Sequence, residues 1–126
     1  MRDLLSDVRA GVEPIADGAT LLRAFAKHQE AALVEAVERI AAAAPFRRMT
    51  TPGGFRMSVA MTNCGRTGWI TDRRGYRYDA LDPETRQPWP AMPAGFLSLA
   101  ARAAAAVGFA AFAPDSCLIN RYEPGT

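Results

Sequence analysis

A chain of 126 residues, 49% hydrophobic and 22% charged, can bury roughly two thirds of its unfolded surface in one core, and it lacks the composition of a disordered segment. It contains no run of 18 apolar residues that could cross a bilayer and no apolar leader after its first residues, and two cysteines with one histidine are too few for a Cys/His zinc site. The net charge of +2 is unevenly held: residues 46–78 carry seven arginines and one acid, Asp72, against eight bases and twelve acids elsewhere.

In chain order, residues 1–18 read as an irregular arm interrupted by Pro14 and Gly18, and 19–25 as a short strand. From His28 to Ala44 the apolar positions Leu33, Val37, Ile40 and Ala44 recur every three or four residues among Glu30, Glu35, Glu38 and Arg39. That spacing predicts an amphipathic helix, and Pro45 ends it. The period then drops to two. Phe55, Met57, Val59 and Met61 alternate with Arg56, Ser58, Ala60 and Thr62, which predicts a strand with one buried face, between a turn at Thr51-Pro52-Gly53-Gly54 and another at Asn63-Cys64-Gly65. Arg74, Tyr76 and Tyr78 alternate with Arg73, Gly75 and Arg77 as the return strand, making 46–78 a β-ribbon with a loop around Trp69. Four prolines keep 82–93 extended, Pro93 opens a second helix bearing Phe96, Leu99, Ala103 and Val107 on one face, and Gly108 stops it. A final strand reads S-C-L-I-N-R-Y.

Two groups of side chains point to ligands. Trp69, Tyr76 and Tyr78 amid the seven arginines suit an unstacked nucleotide, whose base lies on a ring while its phosphates meet guanidinium groups; the same residues also suit a small core inside a solvated ribbon. On the last strand Leu118, Asn120 and Tyr122 share one face. Buried there, an amide and a phenol need partners, which a small dicarboxylate or neighbouring backbone could each supply. His28 is isolated and reads as a surface residue, and no nucleophile and base lie in a recognisable pattern. A Cys64 to Cys117 disulfide is disfavoured in the reducing cytoplasm, where a chain of this composition is expected.

The segments P-F-R-R-M-T-T-P-G-G-F-R-M-S-V-A-M-T-N-C-G, G-W-I-T-D-R-R-G-Y-R-Y, P-W-P-A-M-P and C-L-I-N-R-Y-E-P-G resemble, in this order, the bacterial AlkB family of iron(II)- and 2-oxoglutarate-dependent dioxygenases that repair alkylated bases in DNA and RNA. The resemblance implies an α+β fold: the N-terminal part of a double-stranded β-helix (jelly-roll) dioxygenase, with two helices supporting antiparallel strands and a β-ribbon nucleotide-recognition lid. It divides the single domain into an arm, strand and helix (1–45), the lid (46–81), and a second helix with the first core strand (82–126). It assigns Trp69 to stacking on the flipped base, Tyr76, Arg77 and Tyr78 to the substrate and its phosphates, and Thr51 and Met61 to the substrate-facing lid. Asn120, Arg121 and Tyr122 fall to 2-oxoglutarate.

The implied reaction uses Fe(II), 2-oxoglutarate and O2 to hydroxylate the methyl group of lesions such as N1-methyladenine and N3-methylcytosine, releasing formaldehyde. The family's iron ligands, two histidines and a carboxylate, are expected after Thr126, so no metal ligand is assigned in this chain, and residues 1–126 alone are expected to be inactive and prone to aggregation. Single-stranded DNA or RNA, or double-stranded DNA, is the implied partner, with no membrane and a monomeric full-length protein. Phe55, where relatives can carry tyrosine, and Asp72, an acid in a basic lid, are departures that bear on substrate preference. Two alternatives stand beside this reading: a non-catalytic module that binds single-stranded nucleic acid, and a family member acting on RNA or protein.

Overall fold

The computed structural model describes residues 11–125. Its elements, in order, are β1 (Gly11–Ala16), β2 (Ala19–Arg23), a 3-10 turn at Lys27–Gln29 running into α1 (Glu30–Ala43), β3 (Ala60–Gly65), β4 (Gly68–Asp72), β5 (Gly75–Asp79), α2 (Ala94–Ala106) and β6 (Ser116–Arg121). The strands form three antiparallel pairs, β1 with β2, β4 with β5, and β3 with β6. No helix among the described residues is long and apolar enough to cross a membrane.

Several expectations need correction. The predicted arm contains β1, because Asp17-Gly18 is a two-residue hairpin turn with Gly18 at φ 74°, and the register shift between Pro14 and Ala16 absorbs the proline in an irregular, exposed strand. The part of the arm over 1–10 lies outside the described residues. The strand expected over 55–62 forms only from Ala60, and Phe55 is 76% exposed rather than buried. Its backbone is drawn into short bridges instead, Thr50 to Arg56 and Arg47 to Met61. Asn63-Cys64-Gly65 is no turn: it completes β3, and Trp69 lies within β4 rather than a loop.

The helices follow their patterns closely. Ala36, Ile40 and the capping Ala44 are buried, and Pro45 follows directly. Pro93 caps α2 instead of opening it, since its extended ψ of 145° lies outside the helix, and Gly108 takes φ 95° just beyond the helix end. The Thr62 hydroxyl donates to the Ala44 carbonyl at 2.7 Å, which fastens the α1 terminus to β3. Ala44, Met49, Met61, Ile70 and Trp89 form the buried cluster, with Met57, Val59 and Trp69 packed against it.

One ion pair ties the start of the arginine-rich segment to its end. Arg47 reaches the fully buried Asp82 through two hydrogen bonds of 2.6 and 2.7 Å, its Nε donates to the Pro45 carbonyl, and its guanidinium lies 5.1 Å from the Trp89 ring centre. Trp89 Nε1 in turn donates to the Asp79 carbonyl at 2.9 Å.

Candidate functional site

Backbone pairing sets Asn120 of β6 opposite Met61 of β3, and Met61 packs in the cluster that Trp69 adjoins. Met61 exchanges both of its backbone hydrogen bonds with Arg47, so opposite Asn120 it forms a non-hydrogen-bonded pair of the β3–β6 ladder. In such pairs the Cα atoms come within about 4.5 Å and the side chains lie close. Alternation then puts Met61 and Asn63 of β3 on one side of the ladder with Leu118 and Asn120 of β6, and Ala60, Thr62 and Cys64 on the helix side with Cys117, Ile119 and Arg121. Met61 and Trp69 meet in the same buried cluster.

In the β4–β5 hairpin Trp69 pairs directly with Tyr78 and stacks diagonally on Tyr76, their ring centres 5.6 Å apart and their planes inclined by 25°. Tyr76 and Tyr78 are largely exposed, whereas Trp69 is half-buried. The position of Trp69 is set by a side chain that acts as a strand neighbour. Fully buried Asn63 accepts from the Trp69 N–H and donates to its carbonyl, both at 3.0 Å. Gly68 makes this approach possible, since a Cβ there would lie 2.4 Å from the Trp89 ring and 2.8 Å from the Asn63 Cβ.

Arg77 sits on the other face of the hairpin, paired with Ile70 and away from the aromatic rings. Asp72 accepts two hydrogen bonds from it, at 3.0 and 2.8 Å, and a third from the Arg74 N–H at 2.8 Å. The hydrogen bonds from Arg77 first, then that from Arg74, hold the Asp72 carboxyl well below the usual carboxylate range. Arg47 and Arg77 are therefore occupied within the fold, while Arg48, Arg56, Arg66, Arg73 and Arg74 are exposed.

Thr51 uses its hydroxyl locally, accepting from the Phe55 N–H at 3.1 Å to hold the Thr-Pro-Gly-Gly turn. Arg73 at the hairpin tip lies against that turn at Gly54, so two segments far apart in the basic region meet. On β6 the Asn120 amide donates to the Tyr122 hydroxyl at 3.3 Å, and Tyr122 is 66% exposed. The sequence left open whether this face of β6 is inward, and the structure places the polar pair in solvent. Arg121 between them points the other way, its guanidinium 4.5 Å from the Phe46 ring centre and 3.3 Å from Glu123.

Asn63, Asp82 and the clamp on Arg77 escaped sequence reading. The unbroken alternation M-T-N-C was the signal for Asn63, and for Asp82 it was the Asp-Pro-Glu-Thr turn, in which its carboxylate also accepts from the Glu84 N–H at 2.9 Å. Among the described residues no three His, Cys, Asp or Glu side chains gather where they could hold a metal ion, so these residues do not fit an iron centre. Asn120 and Tyr122 do fit a carboxylate ligand, offering an amide and a phenol side by side at the surface.

The sequence profile of the 2OG-Fe(II) oxygenase superfamily matches residues 18–126, and the chain belongs to that superfamily, whose members depend on Fe(II), 2-oxoglutarate and O2. Its relatives narrow this to the AlkB family. Over 125 residues it is 53% identical to the alpha-ketoglutarate-dependent dioxygenase AlkB of Escherichia coli (strain K12) and, equally, to that of Salmonella typhimurium, across 99% of this chain and 58% of each relative. An AlkB homolog of Caulobacter vibrioides is 49% identical over 94 residues, 75% of this chain and 41% of its own length. The chain therefore spans little more than half the length of the relatives it matches.

Proposed function

We propose that this chain supplies base recognition and co-substrate orientation to an AlkB-type dioxygenase that repairs alkylated nucleic acid by oxidative demethylation of bases such as N1-methyladenine and N3-methylcytosine. The observation that carries this reading is the Met61–Asn120 pairing, which joins the Trp69–Tyr76 stack to the Asn120–Tyr122 pair through one side chain. In this reading residues 46–81 are the nucleotide-recognition lid and β3 with β6 belong to a double-stranded β-helix core.

A flipped base stacks on Trp69 and Tyr76, Met61 closes its inner side against water, and Tyr78 with the exposed Arg48, Arg56, Arg66, Arg73 and Arg74 meets the sugar and phosphates of a single strand. Thr51 contributes by holding the turn beneath Arg73. Asn120 and Tyr122 hydrogen-bond 2-oxoglutarate. Arg77 and Arg121 act by holding the strands, since their guanidinium groups are committed to Asp72 and to Phe46 with Glu123. The described residues build no iron centre, so their part is binding, orientation and exclusion of water.

Binding measurements separate this reading from a plain nucleic-acid module. Fluorescence anisotropy is expected to show tighter binding of a single-stranded oligonucleotide carrying N1-methyladenine than of its unmodified twin. Trp69→Ala should erase that preference, with a loss of roughly 1–3 kcal/mol for the missing stack. Calorimetry should detect 2-oxoglutarate binding that weakens in Asn120→Ala. Equal affinity for both oligonucleotides, together with no response to 2-oxoglutarate, would instead favour the non-catalytic module.

A further inference from the structure

The two cysteines lie outside the base and co-substrate residues, yet they are partners in the ladder that holds them. Cys64 and Cys117 stand directly opposite each other in β3 and β6. With Met61 turned toward Arg47, and the Gly65 N–H toward the Pro90 carbonyl, the pairs at Met61 and Gly65 are the non-hydrogen-bonded ones, and Cys64–Cys117 is a hydrogen-bonded pair. Its Cα atoms are then about 5.5 Å apart. This separation falls within the Cα range found for disulfides, and both side chains lie on the same face of the ladder.

The two sulfurs differ in access. Cys64 is fully buried, whereas Cys117 is half-buried and lines an apolar cavity of about 510 Å³ between the helices and β6, with Leu33, Phe96, Leu99 and Phe112 around it. Both are free thiols. The Cys64 thiol, hydrogen-bonded to Cys117, lowers the partner's pKa to about 7, while that hydrogen bond and then burial push Cys64 up. Nucleophile and resolving thiol are thus distinguished by their surroundings.

We propose that Cys64 and Cys117 form a reversible thiol–disulfide pair that reacts with hydroperoxides, with Cys117 as the attacking sulfur and Cys64 as the resolving one. The Cys117 thiolate attacks the terminal peroxide oxygen: an S–O bond forms, the O–O bond breaks, and the leaving oxygen takes a proton to depart as alcohol or water. Cys64 sulfur then attacks Cys117 sulfur, the S–S bond forms, and the sulfenic oxygen leaves as water with the Cys64 proton. Two electrons pass from the sulfur pair to the peroxide. The bridge would lie three residues before Asn120, stapling β6 to β3 next to the Met61–Asn120 contact. The pair does not depend on the nucleic-acid reading.

The test treats the purified chain with stoichiometric hydrogen peroxide and maps the products by non-reducing peptide mass spectrometry. The expected product is a monomer that has lost two hydrogen atoms, contains a peptide joining Cys64 to Cys117, and returns to its original mass with dithiothreitol. In Cys64→Ser a sulfenic-acid probe such as dimedone should label Cys117, and in Cys117→Ser Cys64 should stay unlabelled. Hydrogen exchange on the unmutated chain should show amides of β6 protected several-fold more after oxidation. A disulfide between two chains, labelling of Cys64 ahead of Cys117, or an unoxidised dithiol after most of the peroxide is consumed by methionines would overturn the proposal.

Discussion

At the scale of single residues, charge in the arginine-rich segment is more tightly managed than its composition suggests. Asp72 lies at the end of β4, where its two oxygens meet Arg77 and the backbone of Arg74, with the Arg74 guanidinium 3.6 Å away. The acid thus ties Arg77 to the hairpin face opposite the aromatic stack and partly offsets the charge of the exposed Arg74 at the tip. Asp72→Asn is expected to tighten binding to single-stranded oligonucleotides and to steepen the dependence of log affinity on log salt by about one phosphate contact. Anisotropy titrations from low to moderate salt would read this directly, and an unchanged slope would show that neither arginine reaches the backbone. Asn63 makes a different kind of bond. Asn63→Ala should orphan the N–H and carbonyl of Trp69, each costing about 1–3 kcal/mol. Urea unfolding would give the loss, and Asn63→Asp should not recover it at neutral pH, because a fully buried carboxylate without a cationic partner is costly and repels the Trp69 carbonyl.

At the scale of elements, what could be read from the sequence depended on whether a segment's neighbours in space were also its neighbours in the chain. Both helices and β5 follow from local periodicity alone, and the extended 82–93 segment follows from its prolines. The ribbon over 46–78 was harder, because its alternation runs on from Phe55 while the pairing partners are set from elsewhere: Arg47 takes one edge of Met61 and β6 the other. Phe55 therefore lies outside the sheet despite its pattern. Site residues divided in the same way. Aromatic and arginine content marked the hairpin, but which arginines face solvent depends on Asp72 and Asp82, whose roles appear only after the strands pair. Asn120 and Tyr122 were visible as a same-face pair, and their exposure was not, because no local rule says which side of β6 is covered.

At the scale of the whole molecule, the Arg47–Asp82 pair closes a 35-residue span around both hairpin strands and β3. Burial raises the Asp82 pKa, but the hydrogen bonds from Arg47 and the backbone of Glu84, together with the Arg47 charge, outweigh it and leave the value lowered. A carboxyl with a lowered folded pKa contributes stability that is fully present above its unfolded value of roughly 4 and is lost as pH falls through the folded value. Thermal unfolding should therefore decline below about pH 4, and the decline should be shallower in Asp82→Asn. Arg47→Met leaves a buried carboxylate without its partner and should cost about 3–5 kcal/mol in denaturant unfolding at neutral pH. An Arg47→Met protein as stable as the parent would mean that Asp82 finds water or another donor.

The β3–β6 ladder sets a parity rule for the chain. Even-numbered residues of β6 stand with Met61 and Asn63, and odd-numbered ones face the helices. A slip of one residue would exchange these sets, turning Asn120 inward and presenting Ile119 and Arg121 in its place. Composition, charge and strand length would all survive such a slip, and the chemistry would not. Insertions should thus be tolerated in the exposed turn that follows α2, where length can be absorbed before β6 begins, whereas one extra residue between Ser116 and Asn120 reverses which face the amide serves.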